Sequence, residues 1–133
     1  MANVNALAFS MGIDDMQSTT MELYKKENVS GDENRTYMLG DNMLLVETSD
    51  TSNKELKEIK VMCMDKSLIW IRLAEAAYVA AIKAVNPEFT GEDFSAIHDE
   101  LFSEDESKMI SYKKIFYVRY INDSGIVYVI TVK

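Results

Sequence analysis

The stretch Ser67 to Pro87, SLIWIRLAEAAYVAAIKAVNP, decides the fold. Its apolar run of about 18 residues stands at the short limit for a bilayer span, which needs roughly 20. The run also carries Arg72, Glu75 and Lys83. At about 100° per residue those three charges fall within a sector of roughly 80°. The pattern is one wet stripe on an otherwise apolar rod, which is a buried helix and not a membrane span. Alanine at 74, 76, 77, 80, 81 and 84 lets neighbouring backbone approach closely. Ser67 suits an N-cap, and Asn86-Pro87 stops the helix, because proline disfavours helical geometry in the residue before it. The stretch is therefore expected to be a long central helix over 67–85, packed on a sheet and flanked by other elements.

Strand patterns flank it. Arg35–Leu39 and Asn42–Thr48 surround Gly40-Asp41, a hairpin-type connection. Glu55–Met64 alternates, with Lys57, Ile59, Val61 and Cys63 on one face. Lys113–Ile121 and Ile126–Lys133 are the clearest strands, joined by Asn122-Asp123-Ser124-Gly125, which suits a type I turn followed by a glycine bulge. Both faces of this last hairpin are apolar, so it is expected to lie centrally or to be covered by a partner. Thr90 and Asp93 have capping-box spacing and open a short helix over 90–102, with Phe94, Ile97 and Leu101 inward. Val4, Leu7, Ala8 and Met11 lie on one helical face, so an N-terminal helix over 3–11 is expected to end at Gly12. Met16–Lys26 fits strand or helix, Asn28–Asn34 reads as a polar loop, and Ser103–Lys108 as a charged one. The expectation is a single α+β domain over 1–133: an antiparallel sheet of about five strands packed on the long helix.

The balance of 22 acids against 14 lysines and arginines gives a net charge of −8. Phosphate backbones and anionic lipid repel such a chain, so direct nucleic-acid binding is disfavoured and a basic protein partner is favoured. One cysteine, Cys63, makes no internal disulfide, and its apolar setting reads as a buried, inert thiol. The start, MANVNALAFSMG, lacks a secretory leader, so the protein is expected to be cytoplasmic, or extracytoplasmic if a leader was removed.

No catalytic signature stands out. GxGxxG, GxxxxGK[ST] and GxSxG are absent, which argues against familiar nucleotide enzymes and hydrolases. His98 is the lone histidine, beside Asp99 and Glu100 on the outer side of the short helix, with no motif framing it as a general base. One histidine and one distant cysteine do not make a zinc site, and the acidic run lacks calcium-loop spacing. No catalytic residue, metal or cofactor is expected. The acidic run itself comprises Glu88, Glu92, Asp93, Asp99, Glu100, Glu104, Asp105 and Glu106, with no lysine or arginine between Pro87 and Ser107. It is the candidate surface for a basic partner. Tyr117 and Arg119, on one face of their strand, are the candidate interface anchors.

The segments TYMLGDNMLLVETSD, KELKEIKVM, AIKAVNPEFTGEDF and KKIFYVRYINDSGIVYVITVK, with the initial NALAFSMGIDD, resemble a group of small domains in lipoproteins and secreted proteins of Gram-positive gut bacteria. That resemblance implies an extracytoplasmic α+β module of no assigned role. The order of elements is also similar to that of type III secretion chaperones, which dimerise, so a homodimer stays open. The functional expectation is a non-enzymatic protein-interaction module with an acidic surface. The alternatives are a phage or mobile-element inhibitor that mimics DNA, of the anti-CRISPR kind, and a secretion-chaperone-like dimer.

Overall fold

The structure is a computed structural model, described over residues 22–39, 42–101 and 106–132. A four-strand meander comes first: β1 (Glu22–Val29), β2 (Asp32–Leu39), β3 (Met43–Asp50) and β4 (Leu56–Cys63). Two helices follow, α1 (Leu68–Val85) and α2 (Gly91–Leu101). A second meander, β5 (Lys108–Tyr112), β6 (Ile115–Asn122) and β7 (Gly125–Thr131), completes the described residues. The meanders fuse through β4 and β7 into one antiparallel sheet of order β1-β2-β3-β4-β7-β6-β5.

The sheet thus has seven strands where the sequence pattern predicts about five. Two of the extra segments are edge strands, and edge strands need no apolar alternation. The NVSGDEN segment is not a loop: Ser30 and Gly31, at φ 50° and 85°, make a tight turn between β1 and β2. Two successive positive φ angles match the right-handed twist of a hairpin. At the other edge, Lys108–Tyr112 form β5, and Lys113 and Lys114 (φ 49° and 71°) turn the chain where the sequence pattern predicts the start of a strand. The predicted N-terminal helix and the Gly40-Asp41 connection lie outside the described residues, although β2 and β3 do pair around the latter.

The long helix is also not central. It lies on one face of the sheet, chiefly over β4 and β7, while α2 lies over β5 and β6. Its first turn extends outward, with Leu68 and Ile69 exposed, and only one side is buried: Leu73, Ala74, Ala77, Tyr78, Ala80, Ala81, Ile82 and Ala84. The apolar run is longer than the buried stripe because Leu68 and Ile69, at its start, face water. Against it stand Met43 and Leu45 of β3, Ile59, Val61 and Cys63 of β4, Tyr117 of β6, and Ile126, Tyr128 and Ile130 of β7. The Tyr78 and Tyr128 rings stack at 4.6 Å between centroids, and the Tyr78 hydroxyl donates to the Val129 carbonyl at 3.3 Å. Burying each large side chain contributes roughly 1.5–3 kcal/mol.

The caps follow the sequence more closely. Asn86 ends α1, donating from its side chain to the Ile82 carbonyl (3.0 Å) and the Tyr117 hydroxyl (3.1 Å). Ser67 stands at the N-cap position, but its hydroxyl makes no capping bond; its N–H donates instead to the Asp65 carboxylate. Thr90 and Asp93 form the reciprocal capping box of α2.

The other face of the sheet carries neither helix. Paired residues form three rows across it: Leu44, Met62, Val127 and Tyr120; then Val46, Lys60, Val129 and Val118; then Thr48, Glu58, Thr131 and Phe116. Gly125 opens β7 where a Cβ would come within 2.0 Å of the Cys63 carbonyl oxygen, so only glycine fits against the end of β4.

Two substitutions test the seam and the helix. Gly125→Ala is expected to lower stability by about 2 kcal/mol or more, because the rigid backbone of β4 must move. Ala81→Asp is expected to abolish cooperative folding, since an unpaired buried charge costs on the order of 4 kcal/mol. Thermal melts by circular dichroism check both, and a wild-type melting curve for Ala81→Asp overturns the burial of α1.

Candidate functional site

Between the helices lies a groove of about 370 Å³ lined by Tyr78, Val79 and Ile82 of α1 and by Phe94, Ser95, Ile97, His98 and Asp99 of α2. Helical spacing explains the lining. Tyr78 and Ile82 stand one turn apart on α1, as do Phe94, Ile97 and His98 on α2, so the facing stripes are apolar. Tyr78, Ile82 and Ile97 are buried, whereas Val79 and Phe94 keep part of their surface in solvent. Two helices that lie over different strand pairs leave this trough between them. Its volume lies within the range of small-ligand and side-chain pockets.

The lip of the groove is polar and acidic. Asp99 is open to water, and α2 contains Glu92, Asp93, Asp99 and Glu100 but no lysine or arginine. His98 Nδ1 lies 3.8 Å from an Asp99 carboxylate oxygen, and its ring is more than half exposed. The Cys63 thiol, pushed up by burial, donates to the Asp65 carbonyl at 3.1 Å and is no reactive nucleophile. Among the described residues no cluster of three or more histidine, cysteine or acidic side chains has metal-holding geometry, and no helix is long and apolar enough to cross a membrane.

The structure divides the acidic run. Glu88, Glu92, Asp99, Glu100 and Glu106 are exposed, and Glu104 and Asp105 lie outside the described residues. Asp93 is withdrawn from the surface. Its carboxylate accepts from the Thr90 N–H (2.9 Å), the Tyr112 hydroxyl (2.7 Å) and the Lys113 ammonium (2.9 Å). The Lys113 ammonium also lies 5.5 Å from the Phe89 ring centre and 5.6 Å from that of Tyr112. Asp93 therefore ties α2 to the β5–β6 turn and offers a partner no charge. Tyr117 and Arg119 are likewise buried, at 0% and 6% exposure, under the helices. The strand instead presents Phe116 and Tyr120, its alternate residues, at 48% and 50% exposure.

Two features escaped the sequence reading. The groove was one, although Val79 and Phe94 exceed what a single helix face can bury on the sheet. The other is Glu47, at 5% exposure, whose Oε2 has no hydrogen-bond partner among the described residues. Its phase is legible in MLLVETSD, where Met43, Leu45 and Glu47 alternate onto the core side of β3. Burial pushes its carboxyl up, against the opposing pull of Tyr37 and Arg35.

Comparison with protein families, curated proteins and solved structures finds no match to this chain. The reading of function therefore rests on the molecule's own geometry.

The two carboxylates make opposite predictions for pH. The Thr90 N–H, Tyr112 and Lys113 hold the Asp93 carboxyl well below the usual range. Its stabilisation is then present above the unfolded-state value of about 3.9 and is lost as pH falls toward the folded value. The melting temperature of Asp93→Asn is expected to lie below that of wild type at pH 6, with the gap closing toward pH 2. For Glu47 the charged form is disfavoured in the fold, so stability is lost as pH rises above the unfolded value of about 4.3. Glu47→Gln is expected to melt higher than wild type at pH 7, and equal to it near pH 4.

Proposed function

We propose that the chain is a non-enzymatic protein-interaction module whose helical layer receives a basic amphipathic segment of a partner protein. The observation that carries this reading is the apolar groove between α1 and α2 with Asp99 on its lip and Glu92 and Glu100 on the same helix. An apolar floor accepts one or two large side chains of an incoming helix or strand, and the carboxylates attract its lysines and arginines. Charge and shape act in series here. The net charge of −8 steers a cationic segment toward the molecule, and the groove discriminates segments with a correctly placed apolar anchor. Glu88 and Glu106 extend the negative field beyond the groove.

The test uses two synthetic peptides, an amphipathic leucine/lysine helix and an all-lysine peptide of equal length, titrated calorimetrically into the protein. Saturable binding is expected for the first at about 50 mM salt, weakening several-fold by about 300 mM as screening shortens the reach of the carboxylates. Asp99→Lys is expected to lower the affinity by about tenfold, and Val79→Glu to remove the preference for the amphipathic peptide over the all-lysine one. Equal binding of both peptides to wild type, or no effect of Val79→Glu, refutes the groove as the site.

A further inference from the structure

The lone histidine of the chain stands on the lip of the groove. His98 lines the trough beside Asp99, and its Nδ1 lies 3.8 Å from an Asp99 carboxylate oxygen. Phe94 and Ser95, which also line the trough, stand one turn earlier on the same stripe of α2. The His98 side chain is 58% exposed and that of Asp99 82%, so both meet the solvent from which a cationic segment arrives.

An imidazole differs from the charged groups around it in one respect. Carboxylates and ammonium groups keep their charges from about pH 5.5 to about pH 8, whereas histidine is the side chain that changes charge within that interval. On α2 the neighbours of fixed charge are Glu92, Asp99 and Glu100. Across the trough, α1 carries Glu75 and Lys83, one turn to either side of Val79 and opposite in sign. The Tyr78 hydroxyl, pushed up by burial, stays neutral. On the sheet side of α2, Lys108 of β5 lies 3.7 Å from Glu100, Lys113 pairs with Asp93, and Arg119 of β6 is buried. Among the described residues of the lip, His98 is therefore the group that responds to pH near neutrality.

Protonated, His98 opposes a basic partner in two ways. An imidazolium beside Asp99 occupies the carboxylate that the partner's lysine or arginine approaches, and it sets a positive charge at the mouth of the groove. Both effects have the same sign. Neutral, the ring leaves Asp99 to the partner and adds its apolar body to the wall of the trough.

We infer that His98 is a proton-operated regulator of the groove, holding a basic segment at neutral pH and loosening it as pH falls, an inference that rests on the groove being the partner site. Protonation adds one charge to the lip, half of what Asp99→Lys adds. Where that substitution lowers affinity by about tenfold, protonation lowers it by about threefold. By reciprocity, binding expels part of a proton.

The test titrates the amphipathic leucine/lysine peptide, acetylated at its amino end, into the full chain at pH 8, 6.5 and 5.5 and about 50 mM salt. Wild-type affinity is expected to fall about threefold from pH 8 to pH 5.5. His98→Gln should bind at pH 5.5 as tightly as wild type at pH 8. His98→Lys should bind at pH 8 as weakly as wild type at pH 5.5, and neither variant should vary with pH. Calorimetry at pH 6.5 in two buffers of different ionisation enthalpy should show a fraction of a proton released per peptide bound by wild type, and none by His98→Gln. The position is more than half exposed, so the melting temperatures of both variants at pH 8 should match wild type. Equal wild-type affinity at pH 8 and pH 5.5, or a pH dependence that His98→Gln retains, overturns the role of His98 and leaves the groove as the site. Absence of saturable binding at pH 8 overturns the groove reading and this inference together.

Discussion

The pairing of β4 with β7 makes one domain of two meanders. Six residue pairs, from Glu58 with Thr131 to Cys63 with Ile126, join segments separated by both helices. The apolar side chains on the inner side of this seam, Ile59, Val61, Cys63, Ile126, Tyr128 and Ile130, are the floor on which α1 sits. Remove the seam and the first meander loses its cover, the helix loses its floor, and the trough between α1 and α2 has no base. Gly125 is where the chain yields most to it, since any side chain there would enter the Cys63 carbonyl.

A second constraint orients the outer half of the helical layer. The β5–β6 turn holds two lysines in left-handed geometry, a conformation that costs L-residues on the order of 1 kcal/mol each. Lys113 recovers part of that cost through its ion pair with Asp93 and its contacts with the Phe89 and Tyr112 rings. The same carboxylate caps α2, so one side chain fixes both the start of the helix and the hairpin beneath it. The acidic lip of the groove is placed by this arrangement without contributing to it: Asp99 stands at the far end of α2, in water.

The limits of the sequence reading have physical causes. The helix spans, the capping box at Thr90, the stop at Asn86 and the interior strands were legible, because each has a local chemical signature or buries one face. Strand β1 and the start of β2 were not, because Glu22–Val29 lies at an edge and shows water both of its faces, so no alternation marks it. Lys113-Lys114 concealed a turn, since lysine carries no turn signal and the geometry is held by the distant Asp93. The alternation in IFYVRYI was visible but its direction was not: which of Tyr117/Arg119 and Phe116/Tyr120 faces the helices depends on where the helices lie. The same ambiguity inflated α1 into a central rod, because an apolar run reports how much of a helix avoids water and not which neighbour does the covering. The groove needed two helices to be placed relative to each other, which no local pattern encodes.

The seam also has a consequence for how the chain acquires its shape as it leaves the ribosome. Strand β4 is complete at Cys63, but its partner does not begin until Gly125. During that interval the first meander exposes a bare rim of unsatisfied amides bordered by Ile59, Val61 and Cys63, which is a template for pairing with a foreign strand. Such a distant closure is slow relative to helix formation and leaves a nascent intermediate open to aggregation. Helix α1, synthesised immediately after β4, is positioned to shelter that intermediate's inner surface before its final neighbour arrives.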